Sequence, residues 1–368
     1  MQLRRKTRTV KIGNVKIGGN APVSIQSMTK TNTEDIAQTV KQIKHLERAG
    51  CEIIRVAVEN LAAAEAIKKI KKEIAIPLVA DIHFNYRLAL ASLKNGADAI
   101  RLNPGNIYKI EHIKQVVELA RKQGVVIRVG INGGSLKATP HAAGRTLQAR
   151  NKTKTKDTEI AELMVESALN YINILEELNF YDIIISLKSS DVWTTIQAYQ
   201  LMAKRCDYPF HLGVTATGFS QIGLVKSVLG IGTLLAEGMG DTIRVSLTDK
   251  PEKEVEVAQD ILQSLELRQF RAKIISCPTC SRCSIDLKKI TREIHKRLEK
   301  ADPKNYCHKK IAVMGCMVNG PGEAKEADVG VAGMQGKGVI FKKERIVEKV
   351  AEKKIVEVLF KELDLNSE

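Results

Sequence analysis

Aromatic residues are scarce in this chain of 368 amino acids, at 4% with a single Trp, and they do not interleave with its basic runs. A stacking surface for single strands needs both together, so the net charge of +16 points to scattered lysines, an anionic substrate or an acidic protein partner, with no nucleic acid expected. No apolar run approaches the roughly 18 residues of a membrane span, and the leader Met1-Gln2-Leu3-Arg4-Arg5-Lys6 lacks the apolar segment of a signal peptide. No membrane association and a cytoplasmic location are the expectations. No Gly-x-Gly-x-x-Gly turn follows the first strand-like stretch, which counts against a dinucleotide-binding sheet. Seven cysteines, odd in number and clustered late, make a poor disulfide framework for a chain long enough to bury a large core.

What is present is a concentration of thiols. Five of the seven cysteines lie between Ile274 and Glu323, two of them in Cys277-Pro278-Thr279-Cys280 and one in Gly315-Cys316-Met317-Val318-Asn319-Gly320-Pro321-Gly322-Glu323. Two cysteines separated by two residues can turn both thiolates to one side, and a third from a distant loop can close a coordination sphere. Proline and glycine around them suit backbone that bends tightly and aims N–H groups at sulfur. Zinc would ordinarily bring a second, separate Cys-x-x-Cys or a His pair; Cys280-Ser281-Arg282-Cys283 only overlaps the first pair, and Cys307, His308 and Cys316 add no further one. A thioredoxin-like couple would open a helix after an early strand. An iron–sulfur cluster is the first reading, with zinc and thiol redox chemistry behind it.

Upstream, apolar strand-like runs recur at Pro22 to Met28, Cys51 to Val58, Ile76 to Ile82, Ala97 to Asn103, Val125 to Ile131, Tyr181 to Leu187, Phe210 to Thr215 and Asp241 to Leu247. Each precedes a helical stretch, the first running from Thr33 as N-cap to near Gly50. Strands apolar on both faces that alternate with helices call for a parallel sheet, and eight such units predict an α/β fold, a (β/α)8 TIM barrel over residues 1–268, with an open doubly wound sheet as runner-up. After a helix from Glu252 to Leu267, residues 269–368 are expected to form a smaller α+β domain. Its expected parts are strands at Lys273 to Ser276 and Lys310 to Val313, a helix from Leu287 to Leu298, a turn region from Gly330 to Gly338 and a lysine-rich helical tail.

Chemistry in such barrels sits at the carboxyl ends of the strands. Arg55, Arg101, Arg128, Lys188 and Arg244 occupy those ends on five strands, a cationic cup suited to a ligand with more than one phosphate. Any one of them could sit in an internal ion pair, but five would need five buried acids, and the strand ends supply few. Asp81, His83, Asn103, Asn132 and Ser246 collect at the same ends, while His83 and His211 read equally well as scaffold. The long basic loop from Gly133 to Lys156, with Arg145, Arg150, Lys152 and Lys154, reads as a lid or a solvated insertion.

The motifs Ser276-Cys277-Pro278-Thr279-Cys280 and Met314 to Glu323 resemble those of bacterial 4-hydroxy-3-methylbut-2-enyl diphosphate synthases of the non-mevalonate isoprenoid pathway. The likeness extends through Gln26 to Thr29, Arg101 to Asn106, His211 to Thr215 and Gly240 to Ser246. The resemblance implies an oxidoreductase that opens the ring of 2-C-methyl-D-erythritol 2,4-cyclodiphosphate and removes a hydroxyl, using two electrons from flavodoxin or ferredoxin. It also implies a barrel followed by a domain carrying a [4Fe-4S] cluster, in a head-to-tail homodimer. By similarity Cys277, Cys280, Cys316 and Glu323 are the cluster ligands, leaving Cys283 and Cys307 spare. Arg55, Arg101, Asn103, Arg128, Lys188, Arg244 and Ser246 are the implied substrate-binding residues, with Asp81, His83, Asn132 and Glu323 catalytic. The family motif His-Leu-Gly-Val-Thr-Glu-Ala-Gly here continues as Thr215-Ala216-Thr217-Gly218, without its glutamate. The alternative is therefore a non-catalytic or redox-sensing iron–sulfur protein that binds diphosphates.

Overall fold

The computed structural model describes residues 3–136, 156–318, 322, 325–343 and 345–364 of a chain that divides into two compact units, Met1–Arg268 and Gln269–Glu368. In the first unit a short antiparallel hairpin, β1 (Val10–Ile12) and β2 (Val15–Ile17), precedes eight parallel strands. These are β3 (Ser24–Met28), β4 (Ile53–Val58), β5 (Leu78–Ile82), β6 (Ala99–Leu102), β7 (Val126–Asn132), β8 (Ile183–Lys188), β9 (His211–Leu212) and β10 (Thr242–Ile243). The sheet order β8-β7-β6-β5-β4-β3-β10-β9 becomes a ring through a parallel bridge between Ile185 and Phe210. Outside it lie α1 (Ile36–Arg48), α2 (Leu61–Glu73), α3 (Tyr86–Lys94), α4 (Ile110–Gln123), α5 (Lys156–Glu177), α6 (Val192–Ala203), α7 (Ser220–Ala236) and α8 (Pro251–Ser264). The (β/α)8 architecture expected from the alternation is present. No helix among the described residues is long and apolar enough to cross a membrane.

The leader holds more structure than its basic composition suggests. Ile12 and Ile17 are fully buried and pack with Ile53, Val79, Ala99, Val126 and Ile184 near the amino-terminal ends of the barrel strands. This apolar plug closes one end of the barrel and leaves the carboxyl ends as the open mouth. Thr33 does not cap α1: its hydroxyl donates to the Ala57 carbonyl at 2.7 Å, and Asp35 caps instead, accepting from the Gln38 N–H at 3.0 Å. Strands β9 and β10 keep only two residues each, because beyond them the backbone bonds elsewhere, as when Thr215 N–H donates to the Ser189 carbonyl.

The second unit is a five-stranded sheet in sequence order, β11 (Lys273–Ser276), β12 (Lys310–Met314), β13 (Val329–Met334), β14 (Lys337–Lys342) and β15 (Arg345–Ala351). Its first three strands are parallel and its last two antiparallel. The helices are α9 (Leu287–Leu298), the single turn α10 (Pro303–Tyr306) and α11 (Ile355–Asp364). Ile290, Ile294, Leu359 and Phe360 join Ile311, Val313 and Val331 in one buried core.

Two expectations need correction here. The stretch Gly330 to Gly338 is not a turn region but most of the β13–β14 hairpin. Only Gln335 and Gly336 turn, with φ of 47° and 74°, the positive pair that suits a tight two-residue hairpin. The lysine-rich tail begins as strand β15, whose exposed charged edge faces solvent, and only then becomes helical.

Candidate active site

Three of the expected residues lie side by side across the barrel wall, since Asp81 on β5 is in register with Arg101 on β6, and Arg101 with Arg128 on β7. Asp81 Oδ1 lies 3.5 Å from Arg101 Nη1, while its Oδ2 lies 3.6 Å from Arg55 Nε and 3.4 Å from His83 Nε2. Arg101 also donates from Nη2 to the Gly130 carbonyl at 2.8 Å; any side chain at position 130 would collide with it. Arg128 is fully buried and donates from Nη1 to Gln26 Oε1 at 2.5 Å.

The remaining cations have fewer partners. Among the described residues, Arg128 Nε and Nη2, Lys188 Nζ and Arg244 Nε are buried without a hydrogen bond. Lys188 reaches across Gly213, where a Cβ would fall 2.7 Å from Nζ, so glycine is what opens its path. Asn132 faces Lys188 in register, and buried Asn103 accepts from the Gly105 N–H at 3.2 Å. Ser246 is half-buried, and its carbonyl accepts from the Thr217 hydroxyl.

Asp81 is thus the single carboxylate paired with any of the five cations among the described residues. Burial works against its charge, but Arg55, the His83 hydrogen bond and Arg101 together hold its carboxyl below the usual carboxylate range. The cations pay for crowding. Burial, then Arg55, lowers Arg128 to about 9 and Arg244 to about 10. Lys188 is pushed well below its ordinary value by burial and then by Arg55, Arg244, Arg128 and Arg101. His211 is fully buried, with both ring nitrogens unpartnered among the described residues, and burial followed by Arg128 and Lys188 keeps it neutral. Such a mouth is built to receive an anion, because a ligand phosphate restores the charge balance that the protein lacks.

In the second unit Cys277 and Cys316 follow β11 and β12, adjacent parallel strands, and so leave the sheet from the same end. Cys277 Sγ accepts from the Gly315 N–H at 3.2 Å, an N–H···S bond of the kind that supports a ligating thiolate. Cys280 is exposed and Cys316 half-buried. Cys283 lies against Gly315 and donates to the Ile285 carbonyl at 3.2 Å, as a packed thiol does. No three His, Cys, Asp or Glu side chains among the described residues converge tightly enough to hold a metal ion, and Glu323 lies outside those residues. So do Arg145, Arg150, Lys152 and Lys154 of the basic loop. Three thiols, one of them accepting a backbone N–H, nevertheless suit an iron–sulfur cluster in donor chemistry.

Two family models match the chain, the GcpE TIM-barrel domain over residues 7–259 and the GcpE protein C-terminal domain over residues 273–365. The chain belongs to the GcpE family. Its relatives include the 4-hydroxy-3-methylbut-2-en-1-yl diphosphate synthase (flavodoxin) of Caldanaerobacter subterraneus subsp. tengcongensis, 52% identical over 366 residues that cover 99% of this chain and 98% of that one. The protein of the same name from Clostridium acetobutylicum is 50% identical over 361 residues, 98% of this chain and 99% of that one. A solved dihydropteroate synthase from Stenotrophomonas maltophilia, at 13% identity and a TM-score of 0.50, covers 71% of this chain and 98% of its own, a likeness of fold alone.

Within this GcpE chain, sequence reasoning placed the cations but missed Gln26 as the partner of Arg128; the available signal was a lone amide inside an apolar strand. It also missed Asp81 as the shared counter-ion, which only strand register shows. Asp81→Asn should destabilise the ligand-free protein by about 3–5 kcal/mol in urea unfolding, since Arg55 and Arg101 would be left without a counter-charge, and inorganic pyrophosphate should restore part of the loss. An unchanged midpoint would contradict the pairing. Lys188 titrates near its ordinary 10.5 when unfolded but lower when folded, so unfolding takes up a proton between those values, and stability rises with pH across that window. Lys188→Met should flatten that rise and raise the melting temperature of the ligand-free protein while weakening pyrophosphate binding; a drop in melting temperature would count against it.

Proposed function

We propose that this chain catalyses the reductive ring opening of 2-C-methyl-D-erythritol 2,4-cyclodiphosphate to 4-hydroxy-3-methylbut-2-enyl diphosphate. The observation that carries the reading is the group of buried cationic atoms without a hydrogen bond among the described residues, Arg128 Nε and Nη2, Lys188 Nζ and Arg244 Nε, at the open end of a barrel in a GcpE chain. Two electrons enter, the ring C–O bond to one phosphate breaks, and a hydroxyl leaves as water after taking up a proton. A [4Fe-4S] cluster on Cys277, Cys280, Cys316 and Glu323 would supply those electrons one at a time. Arg55, Arg101, Arg128, Lys188 and Arg244 bind the two phosphates and stabilise the charge that grows on the phosphate oxygen as the bond breaks. Asp81 orients Arg55 and Arg101 and holds His83; on this reading the half-exposed His83 gives a proton to the departing hydroxyl. Asn103, Asn132 and Ser246 supply neutral hydrogen bonds that orient the sugar-derived carbons.

On this reading residues 1–268 bind substrate and residues 269–368 carry the cluster, in the cytoplasm, with reduced flavodoxin as donor and ferredoxin as the runner-up. A homodimer is part of the proposal. Its support is an apolar stripe on α7, where Ile222, Val225 and Leu229 are 65%, 52% and 52% exposed at helical spacing, flanked by exposed Phe219 and Trp193. Val225→Lys should shift the protein toward monomers in analytical ultracentrifugation with its melting temperature preserved; an unchanged sedimentation coefficient would remove that support.

The reading without turnover rests on Ala216 alone. That residue is exposed, with a left-handed φ of 48°, in the loop after β9, while the sequence keeps the five cations of the barrel and Cys277, Cys280 and Cys316. Relatives about 50% identical over their full length carry the synthase name, so the catalytic reading is preferred. Anaerobic purification followed by iron and sulfide analysis, EPR and turnover with a chemical reductant tests it. Four irons per chain, a spectrum altered by the cyclodiphosphate, and product formation are expected; zinc in place of iron, or a cluster indifferent to the cyclodiphosphate, would overturn it. Ala216→Glu should raise turnover only modestly, and a large gain from a nearly inactive protein would show that the site does not work without the glutamate.

A further inference from the structure

We infer that the exposed face of α9 beside Cys277-Pro278-Thr279-Cys280 is the docking surface for a small acidic electron-carrier protein. The inference rests on the reductive reading above and adds the place where the reductant binds.

The charge of α9 is arranged against the helix's own stability. Leu287, Ile290 and Ile294 anchor it in the core, and Asp286 caps it by accepting from the Lys289 N–H at 3.0 Å. The first turn nevertheless carries Lys288 and Lys289 and no acid, where the positive end of the helix dipole disfavours cations. Lys288, Arg292 and Lys296 then follow at four-residue spacing, a row of like charges that disfavours the helix again. None of the three makes an ion pair among the described residues, and all are exposed. Arg297 differs, because its guanidinium lies over the Phe360 ring at 4.3 Å and so has a packing role.

This row faces the cysteine loop. A cavity of about 500 Å³ has Cys277, Pro278 and Thr279 on one wall and Lys288, Arg292 and His295 on the other, with the buried Thr291 hydroxyl unpartnered among the described residues. From Gln269 to Lys310 the chain has twelve Lys and Arg against four Asp and Glu. The barrel cations are buried or half-buried and suited to gripping a small anion, whereas these are exposed. Exposed, uncompensated charge steers encounter and tolerates fast release, which suits a carrier that must leave after each transfer. No Phe, Tyr or Trp lines this cavity for bases to stack on, so a protein partner fits better than a nucleic acid. A cluster held by the thiolates would take one electron from the reduced carrier in each encounter, so that two encounters supply the pair.

The test uses the full chain with its cluster and measures binding of flavodoxin by the quenching of its flavin fluorescence at low and high salt. Lys288→Glu, Arg292→Glu and Lys296→Glu together should weaken binding at least tenfold at low salt and remove most of its salt dependence. Lys41→Glu, Lys68→Glu and Lys122→Glu on the barrel helices make the same change in net charge and should stay within twofold of the unmodified protein. Because the three side chains are exposed and make no ion pair among the described residues, the melting temperature of the α9 variant should stay close to that of the unmodified protein, which separates lost docking from lost folding. Unchanged affinity in the α9 variant overturns the inference, and so does an equal loss in both variants, which would reduce the effect to overall charge. Turnover with a small chemical reductant reports on the functional reading separately: its absence in the unmodified protein would sink that reading, while flavodoxin binding would still decide the docking surface.

Discussion

Asp81 sits among five inward-pointing cations, and the open half of the barrel is organised around that shortage of negative charge. Its two oxygens are shared among Arg55, Arg101 and His83, and among the described residues no carboxylate forms an ion pair with Arg128, Lys188 or Arg244. Removing a charge from water without a partner is costly, on the order of several kcal/mol, so such a cluster persists only where the scaffold over-determines it. Here the scaffold is a ring of doubly buried Ile- and Val-rich strands, sealed at its other end by the Ile12 and Ile17 plug. The barrel holds its cations in an arrangement that is unfavourable alone and favourable with a ligand of two phosphates, which is the form of preorganisation that binding and transition-state stabilisation both need.

The alternation of strand and helix was legible because both faces of each strand are apolar and most of the helices are amphipathic, patterns that the order of residues records. The cations were legible for a related reason, since Arg101, Arg128 and Lys188 stand out at the ends of apolar runs. Their pairing was not. Whether Arg101 meets Asp81 or Arg128 meets Gln26 depends on register and on which strands are neighbours, and those are long-range facts. The β1–β2 hairpin escaped notice because three-residue strands carry almost no periodicity. The β15 edge was taken for helix because a charged, two-sided-polar strand owes its state to pairing with β14 and not to its own pattern.

The thiol region shows the same division. Cys-x-x-Cys announced a metal or redox centre, but three chemistries stayed open until a family resemblance separated them. The fold adds what spacing could not, that Cys277 and Cys316 leave neighbouring parallel strands and that the Gly315 N–H is aimed at Cys277 Sγ. The chain also uses positive charge in two distinct ways. Buried guanidiniums of fixed geometry discriminate a small ligand, whereas the exposed lysines and arginine of α9 act at longer range and in a salt-dependent way.

Calorimetric titration of the protein with pyrophosphate at mildly alkaline pH, repeated in buffers of different ionisation enthalpy, tests the central claim most directly. A ligand whose charge offsets the barrel cations should raise the affinity of Lys188 for its proton, so the account predicts proton uptake onto the protein that grows as pH rises toward the ordinary lysine range, together with an affinity for pyrophosphate well above that for orthophosphate. Binding without proton uptake, and with no preference for two phosphates over one, would contradict it.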